Sequence, residues 1–373
     1  MYKNLAATLV AACFAVVGVS PVFSQTAERS SAGASAIKPP LKVGFAYVTP
    51  VTDAGWTRQH DEGRKAVETR LGAQVVTSVV ENVAEGPDAE RVIRDLAAQG
   101  HQLVITTSFG YMAPTLKVAQ EFPGVKFESI TGYQTAPNVA TANARYYEGR
   151  YLAGMAAGRL SKSHVAGYVA GFPIPEVLQG INAFTLGMRS VDPKAQVQVV
   201  WLNTWFDPAR ERDAAMRLFD QNADVIAFHT ASTAVMAAAQ ERGKLAIAYH
   251  SDMRRTAPDA QVLAITHHWG DYYTGRARAV LNDSWRAGDV WGGIREGMVS
   301  VGGFGPKVPR SVQDEVLSRQ KDIAAGRLHP FQAPAGGLRD NQGNRVADAG
   351  KTLSDAQILG MNWLVEGVQG KVR

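Results

Sequence analysis

Leu41-Lys42-Val43-Gly44-Phe45-Ala46-Tyr47-Val48, followed closely by Thr52-Asp53-Ala54-Gly55-Trp56, reads as a strand running into the start of a helix. Its nearly unbroken apolar content suits a strand covered on both faces. In an open parallel sheet, ligands bind outside the carboxyl ends of the strands. Trp56 stands at such an end, where the first helix begins. A large planar side chain there suits a planar ligand, because stacking two faces buries area without polar partners. The alternative is that Trp56 only staples the helix to the sheet.

Outward from this stretch the same rhythm repeats. Strands are predicted over 42–48, 73–80, 102–107 and 125–130, alternating with helices over 56–71, 86–99 and 112–121. Alternation at this spacing argues for βαβ units and a parallel sheet. After 138–145 the pattern restarts with a helix over 148–160. Strands then read at 165–169, 197–202, 225–228 and 245–248, with helices at 175–190, 208–222 and 231–242. A strand at 261–266 and a helix at 272–287 follow; the strand is expected to cross back to the first set. Residues 292–309 read as loop, 311–326 as one more helix and 328–340 as irregular. The expected fold class is α/β, with two Rossmann-like lobes of parallel sheet flanked by helices and joined by a hinge. The lobes divide as 41–145 plus about 255–290, and 146–254 plus about 291–325, with 326–373 a C-terminal extension packed on them.

Residues 1–24 are not read as fold. Met1-Tyr2-Lys3-Asn4 is a short basic start, 5–19 is almost wholly apolar, and Val22-Phe23-Ser24 offers a cleavage site. The apolar run is too short to span a bilayer. Val10-Ala11-Ala12-Cys13 fits a lipoprotein signal box, but the apolar run continues past Cys13, so a soluble exported protein is preferred to a lipid-anchored one. Residues 25–40, rich in Ser, Ala and Gly, read as a disordered leader. Cys13 is the only cysteine, so the mature chain has no disulfide and relies on its core. Roughly 345 mature residues exceed one core and favour two domains. The net charge of +5 is dispersed rather than clustered, which excludes a nucleic-acid footprint and argues for solubility.

Catalytic signatures are missing. There is no G-x-S-x-G, no H-E-x-x-H, no phosphate-binding loop and no dinucleotide fingerprint. His267-His268 is adjacent rather than spaced to share a helix face, so no metal site is expected. No cofactor and no enzymatic activity are predicted. Instead, aromatic and hydrogen-bonding residues recur at strand ends: Thr106-Thr107-Ser108-Phe109-Gly110-Tyr111, Thr131-Gly132-Tyr133, Asn203-Thr204-Trp205-Phe206-Asp207-Pro208 and His229-Thr230-Ala231-Ser232. Ser108 reads either as a ligand group at a helix N-terminus or as a helix cap. Asp207 reads as a cap. Trp205 and Phe206, large and apolar in a loop mouth, need a partner, and closing the lobes would set Trp56 and Trp205 on opposite faces of one planar ligand. His250-Ser251-Asp252 follows the last strand of the second set. Asp252 is the first choice for a carboxylate accepting ligand N–H donors, with a helix cap as its alternative. His229, His250 and Trp269 complete the candidates.

These residues resemble the basic membrane protein family, the PnrA-like purine nucleoside-binding components of ABC importers, over about 41–291. The resemblance rests on Asp53-Ala54-Gly55-Trp56 for D-x-G-F/W and on Glu148-Gly149-Arg150-Tyr151-Leu152-Ala153-Gly154 for a similar E-G-x-x-A-G. Pro175-Glu176-Val177 with Phe184-x-x-Gly187 matches P-x-V-x-x-F-x-x-G, and Asn203-Thr204-Trp205-Phe206-Asp207-Pro208 matches G-S-W/F-x-D-P. The resemblance implies a type I periplasmic binding protein fold, a purine stacked between Trp56 and Trp205, a membrane permease as partner, and a periplasmic monomer. The family's G-V-D-x-D aligns with Tyr249-His250-Ser251-Asp252, so one acid has become His250. Its S-x-x-K appears as Thr266-His267-His268-Trp269, without the lysine. Losing these groups removes partners that hold the sugar and the ring and points to a free base, adenine first. Ser108-Phe109-Gly110-Tyr111-Met112 and Ser251-Asp252-Met253 resemble adenine-binding members. A nucleoside, a sugar or a signalling molecule is the alternative ligand.

Overall fold

The computed structural model describes residues 39–372. The expected signal peptide, Cys13 and nearly all of the leader lie outside the described residues. The first half alternates as β1 (Leu41–Ala46), α1 (Trp56–Leu71), β2 (Val75–Val80), α2 (Pro87–Ala98), β3 (Leu103–Thr106), α3 (Met112–Glu121), β4 (Lys126–Ile130) and β5 (Val139–Ala144). The second continues as α4 (Tyr146–Leu160), β6 (Val165–Ala170), α5 (Pro175–Val191), β7 (Gln196–Trp201), α6 (Pro208–Asp220), β8 (Val225–His229), α7 (Ala234–Glu241), β9 (Leu245–His250) and β10 (Gln261–His267). Then come α8 (Gly270–Leu281), β11 (Asp289–Gly292), β12 (Val299–Gly302), α9 (Arg310–Ala324), β13 (Leu338–Arg339), β14 (Arg345–Ala347), α10 (Asp355–Leu359) and β15 (Val368–Gln369).

Two sheets result, ordered β11-β5-β4-β3-β1-β2 and β12-β10-β9-β8-β6-β7-β15. All strand pairs in them are parallel except β10 with β12. The inner strands β3 and β8 are buried along their whole length, whereas β2 and β7, nearer the sheet margins, are half-buried. That contrast follows from helices covering both faces. In each sheet the strand order reverses beside the first strand of its lobe, between β1 and β3 and between β6 and β8. Such switch points open crevices at the carboxyl ends.

Strand 261–267 corrects one expectation. It pairs with β9 and stays in the second sheet rather than crossing back. Its apolar run says only that it is buried, and either sheet satisfies that; the side chain of Gln261 anchors it locally by accepting from Met253 N at 2.9 Å. The chain crosses between lobes next to it, at His268 and Trp269, since α8 packs on α1 and β1. The last helix before the tail ends at Leu281, and β12 occupies part of the stretch read as loop.

Three crossings therefore join the lobes: β5 to α4, β10 to α8, and β11 to β12. They hydrogen-bond to one another, Arg145 N donating to Gly292 O at 2.8 Å and His268 N to Met298 O at 3.0 Å. The C-terminal segment packs on the second lobe and this hinge. Fully buried Asn182 of α5 donates to Trp363 O and accepts from Val365 N, both at 2.8 Å. Arg145 makes a two-pronged ion pair with Asp355 at 2.9 and 2.7 Å while its guanidinium lies 3.9 Å over Trp291. Among the described residues no helix is long and apolar enough to cross a membrane.

Candidate functional site

The carboxyl ends of the two sheets face each other across a cavity lined from both lobes. From the first lobe come Val48, Thr49, Trp56, Ser108, Phe109 and Thr131; from the second, Ile174, Glu176, Trp205, His229, Thr230, Ala231 and His250. Every one lies at the end of a strand, in the loop that follows it or in the first turn of the helix beyond. The lobes touch around this cavity. Gly55 N donates to Ser251 Oγ at 3.1 Å, and Asn143 Nδ2 to Glu176 Oε2 at 3.0 Å. Gly55 is required here on two counts: its φ of 100° is unfavourable for other residues, and a Cβ would strike the Ala231 carbonyl of the opposite lobe.

Trp56 is 9 % exposed, and its Nε1–H donates to Thr107 O at 2.8 Å. Its ring meets His60 and, across the lobes, His250 edge-on. Trp205 packs edge-on against Phe172 at 4.9 Å, and its Nε1–H reaches Glu85 Oε1 of the first lobe at 3.3 Å. The same Glu85 oxygen accepts from Ser108 Oγ at 2.5 Å and Gly110 N at 3.0 Å. Ser108 is thus held by a side chain rather than capping the helix.

Two lining residues, Thr131 and His250, hold left-handed φ angles of 65° and 70°. Strain of this kind in non-glycine residues gathers at ligand sites. Burial pushes His60, His229, His250 and His267 below the ordinary histidine range, with nearby Arg150 adding to the shift of the last three. The rings are neutral at pH ~7. His250 Nδ1 lies 3.0 Å from His267 Nδ1, so one of the two carries the shared proton. Beneath this floor Arg150 is wholly buried, 3.2 Å over the Tyr249 ring, donating to Phe228 O at 2.8 Å.

The structure separates the sequence candidates. Trp56, Trp205, Ser108, Phe109, His229 and His250 line the cavity. Asp252 does not: Arg254 grips both its oxygens and Gln261 donates to it at 3.0 Å, so its acceptors are engaged on the second lobe's surface. Tyr111 is in the first-lobe core, donating to Val83 O at 2.5 Å. Trp269 is buried too, stacked on Tyr273 where α8 meets α1. Phe206 packs against the second-lobe core, and Tyr133, 63 % exposed, leans on Phe109 outside the cavity. A strand end fixes where a residue stands, not where its side chain turns. Asp207 is the cap expected, accepting from Arg210 N at 3.1 Å.

Sequence reading missed Glu176, Thr49, Glu85 and Arg150, and marked the strand end at Thr131 without choosing that residue as a ligand group. Glu176 follows Pro175 in the first turn of α5, where an acid is ordinary, so nothing marked it. The one available signal was its place at the start of the helix that follows β6, beside the switch-point crevice.

The family model described as ABC transporter substrate-binding protein PnrA-like matches residues 41–329. A purine-binding protein of Brucella abortus (strain 2308) is 47 % identical over 91 % of this chain and 96 % of its own. A putative ABC transporter glucose-binding protein of Haloferax volcanii is 34 % identical over 89 % and 81 %. Among solved structures, an ABC transporter solute-binding protein from Aeropyrum pernix K1 superposes with a TM-score of 0.67 at 18 % identity, covering 78 % of this chain and 93 % of its own. One from Conexibacter woesei DSM 14684 gives 0.61 at 22 % identity, over 78 % and 98 %. With two switch-point crevices facing each other across a triple hinge and a match over most of its length, the chain belongs to the PnrA-like family of ABC transporter substrate-binding proteins and has the type I periplasmic binding protein fold.

Proposed function

We propose that the chain captures a purine nucleobase, adenine before others, in the cavity between its lobes and hands it to the permease of an ABC importer. The observation that carries this reading is that two tryptophans from opposite lobes line one cavity whose remaining wall is mostly apolar or hydroxylic. In this reading a flat ligand stacks between the two indoles, neither of which has the other among its ring neighbours. Affinity then comes from stacking and specificity from leaving wrong polar edges unpaired. The Brucella abortus relative, named a purine-binding protein, supports the same class of ligand. Sugar sites use aromatic platforms too, but they add carboxylates and amides to fix hydroxyls, and one carboxylate and no amide line this cavity. In this reading the chain acts as a periplasmic monomer and makes or breaks no bond.

Calorimetric titration of the ligand-stripped chain with adenine, then adenosine, then glucose tests the proposal. Tight adenine binding with little response to adenosine is expected. A preference for adenosine moves the ligand to the nucleoside class, and binding of glucose alone overturns the purine reading.

A further inference from the structure

Glu176 lines the cavity with its side chain 10 % exposed, and among the described residues it is the only carboxylate there. Lys and Arg contribute no ion pair to it; the group within ion-pair range is His229 Nε2, at 3.5 Å. Asn143, reaching over from β5, supplies its one full hydrogen bond. An enclosed anion with so few donors is costly unless a partner brings N–H groups. The positive end of α5 offsets part of that cost.

The lining hydroxyl groups are engaged within the protein, and His250 is engaged through its Nδ1. Ser108 donates to Glu85, Thr131 to its neighbour's carbonyl, and Thr230 to buried Glu211; Thr49 shares a proton with Thr57, and His250 with His267. His229 turns its Nε2 to Glu176, and its buried Nδ1 has no partner in the protein. With its proton on Nε2, towards the carboxylate, a neutral His229 backs Glu176 from inside the second lobe rather than meeting the ligand itself.

Resting on the purine reading, we infer that Glu176, with His229 beside it, is the specificity element: an acceptor edge that selects a base bearing an amino group over one bearing a carbonyl at that edge. An amino group gives its protons to the Glu176 carboxylate. A carbonyl in the same place sets two acceptors against each other with no proton between them, and both stay unpaired in an enclosed site.

Calorimetry with adenine and hypoxanthine, on the wild-type chain and on Glu176→Gln, decides it. The wild type is expected to favour adenine by about tenfold or more, the discrimination one mispaired enclosed group provides. Gln keeps the shape but offers an N–H, so adenine weakens, hypoxanthine strengthens, and the ratio narrows or inverts. An unchanged ratio in the variant overturns the assignment even though adenine binds. Should the variant not fold, the wild-type ratio decides alone, and absence of an adenine preference overturns it. A wild type that binds neither base sinks the purine proposal itself, a result distinct from losing the Glu176 assignment.

Discussion

Trp56 and Trp205 use their indole N–H groups differently. Trp56 is pinned to its own lobe at Thr107, whereas Trp205 reaches across to Glu85. The second platform is thus completed only where the lobes meet, which couples ligand stacking to closure. Trp205→Ala is expected to weaken adenine binding by about 1–3 kcal/mol, the range for aromatic–base stacking. Unchanged affinity in the calorimeter would remove Trp205 from the site. At this scale the sequence shows which residues stand at strand ends but not their aim. Trp205 and Phe206 are neighbours and both pack against the core, yet only Trp205 lines the cavity. Asp252, an acid at a strand end, is gripped by Arg254, while Glu176, an unremarked first-turn acid, faces the ligand space.

Elements were far more legible, because a 3.6-residue or continuous apolar pattern spans many positions and tolerates local exceptions. The bounds of α1 and α3 match the pattern to the residue. What pattern cannot supply is the sheet to which a buried strand belongs, hence the correction at β10. The motif glycines of α4 and α5 also take on a packing meaning: a Cβ at Gly154 would strike the Phe184 carbonyl, and one at Gly187 the Tyr151 carbonyl. Their matching to a family pattern reflects close helix contact rather than ligand chemistry. At the start of α4, Glu148 accepts from Ile294 N in the third crossing at 2.7 Å. Burial pushes its carboxyl up to about 7, against a smaller opposing effect from that N–H. The folded state therefore holds the proton more tightly than the unfolded one. This contribution to stability is full below about pH 4.5 and is lost as pH rises through about 7. Glu148→Gln should flatten that decline when urea midpoints are compared across the window; an equally steep decline in the variant would assign it elsewhere.

For the whole molecule, lobes that share three crossings, with the C-terminal segment bracing the hinge from the second lobe, have no independent borders. Chemical unfolding is expected to follow one transition, with far- and near-ultraviolet circular dichroism coinciding. Two separated transitions would show that the lobes unfold independently. The family model ends at residue 329, so the segment beyond it, with Asp355 on the hinge arginine and Trp363 on Asn182, is carried by this chain in addition to the matched region.

The strand orders have a kinetic consequence. The first sheet is closed by β11, which comes after almost all of the second lobe, and the second by β15, a few residues from the end of the described chain. Neither sheet can be finished by a growing N-terminal fragment. Edge strands recruited from so far along the chain raise its contact order, and their loop-closure entropy must be overcome before their contacts stabilise anything. A chain delivered from its N-terminus cannot complete its second sheet until β15 has arrived.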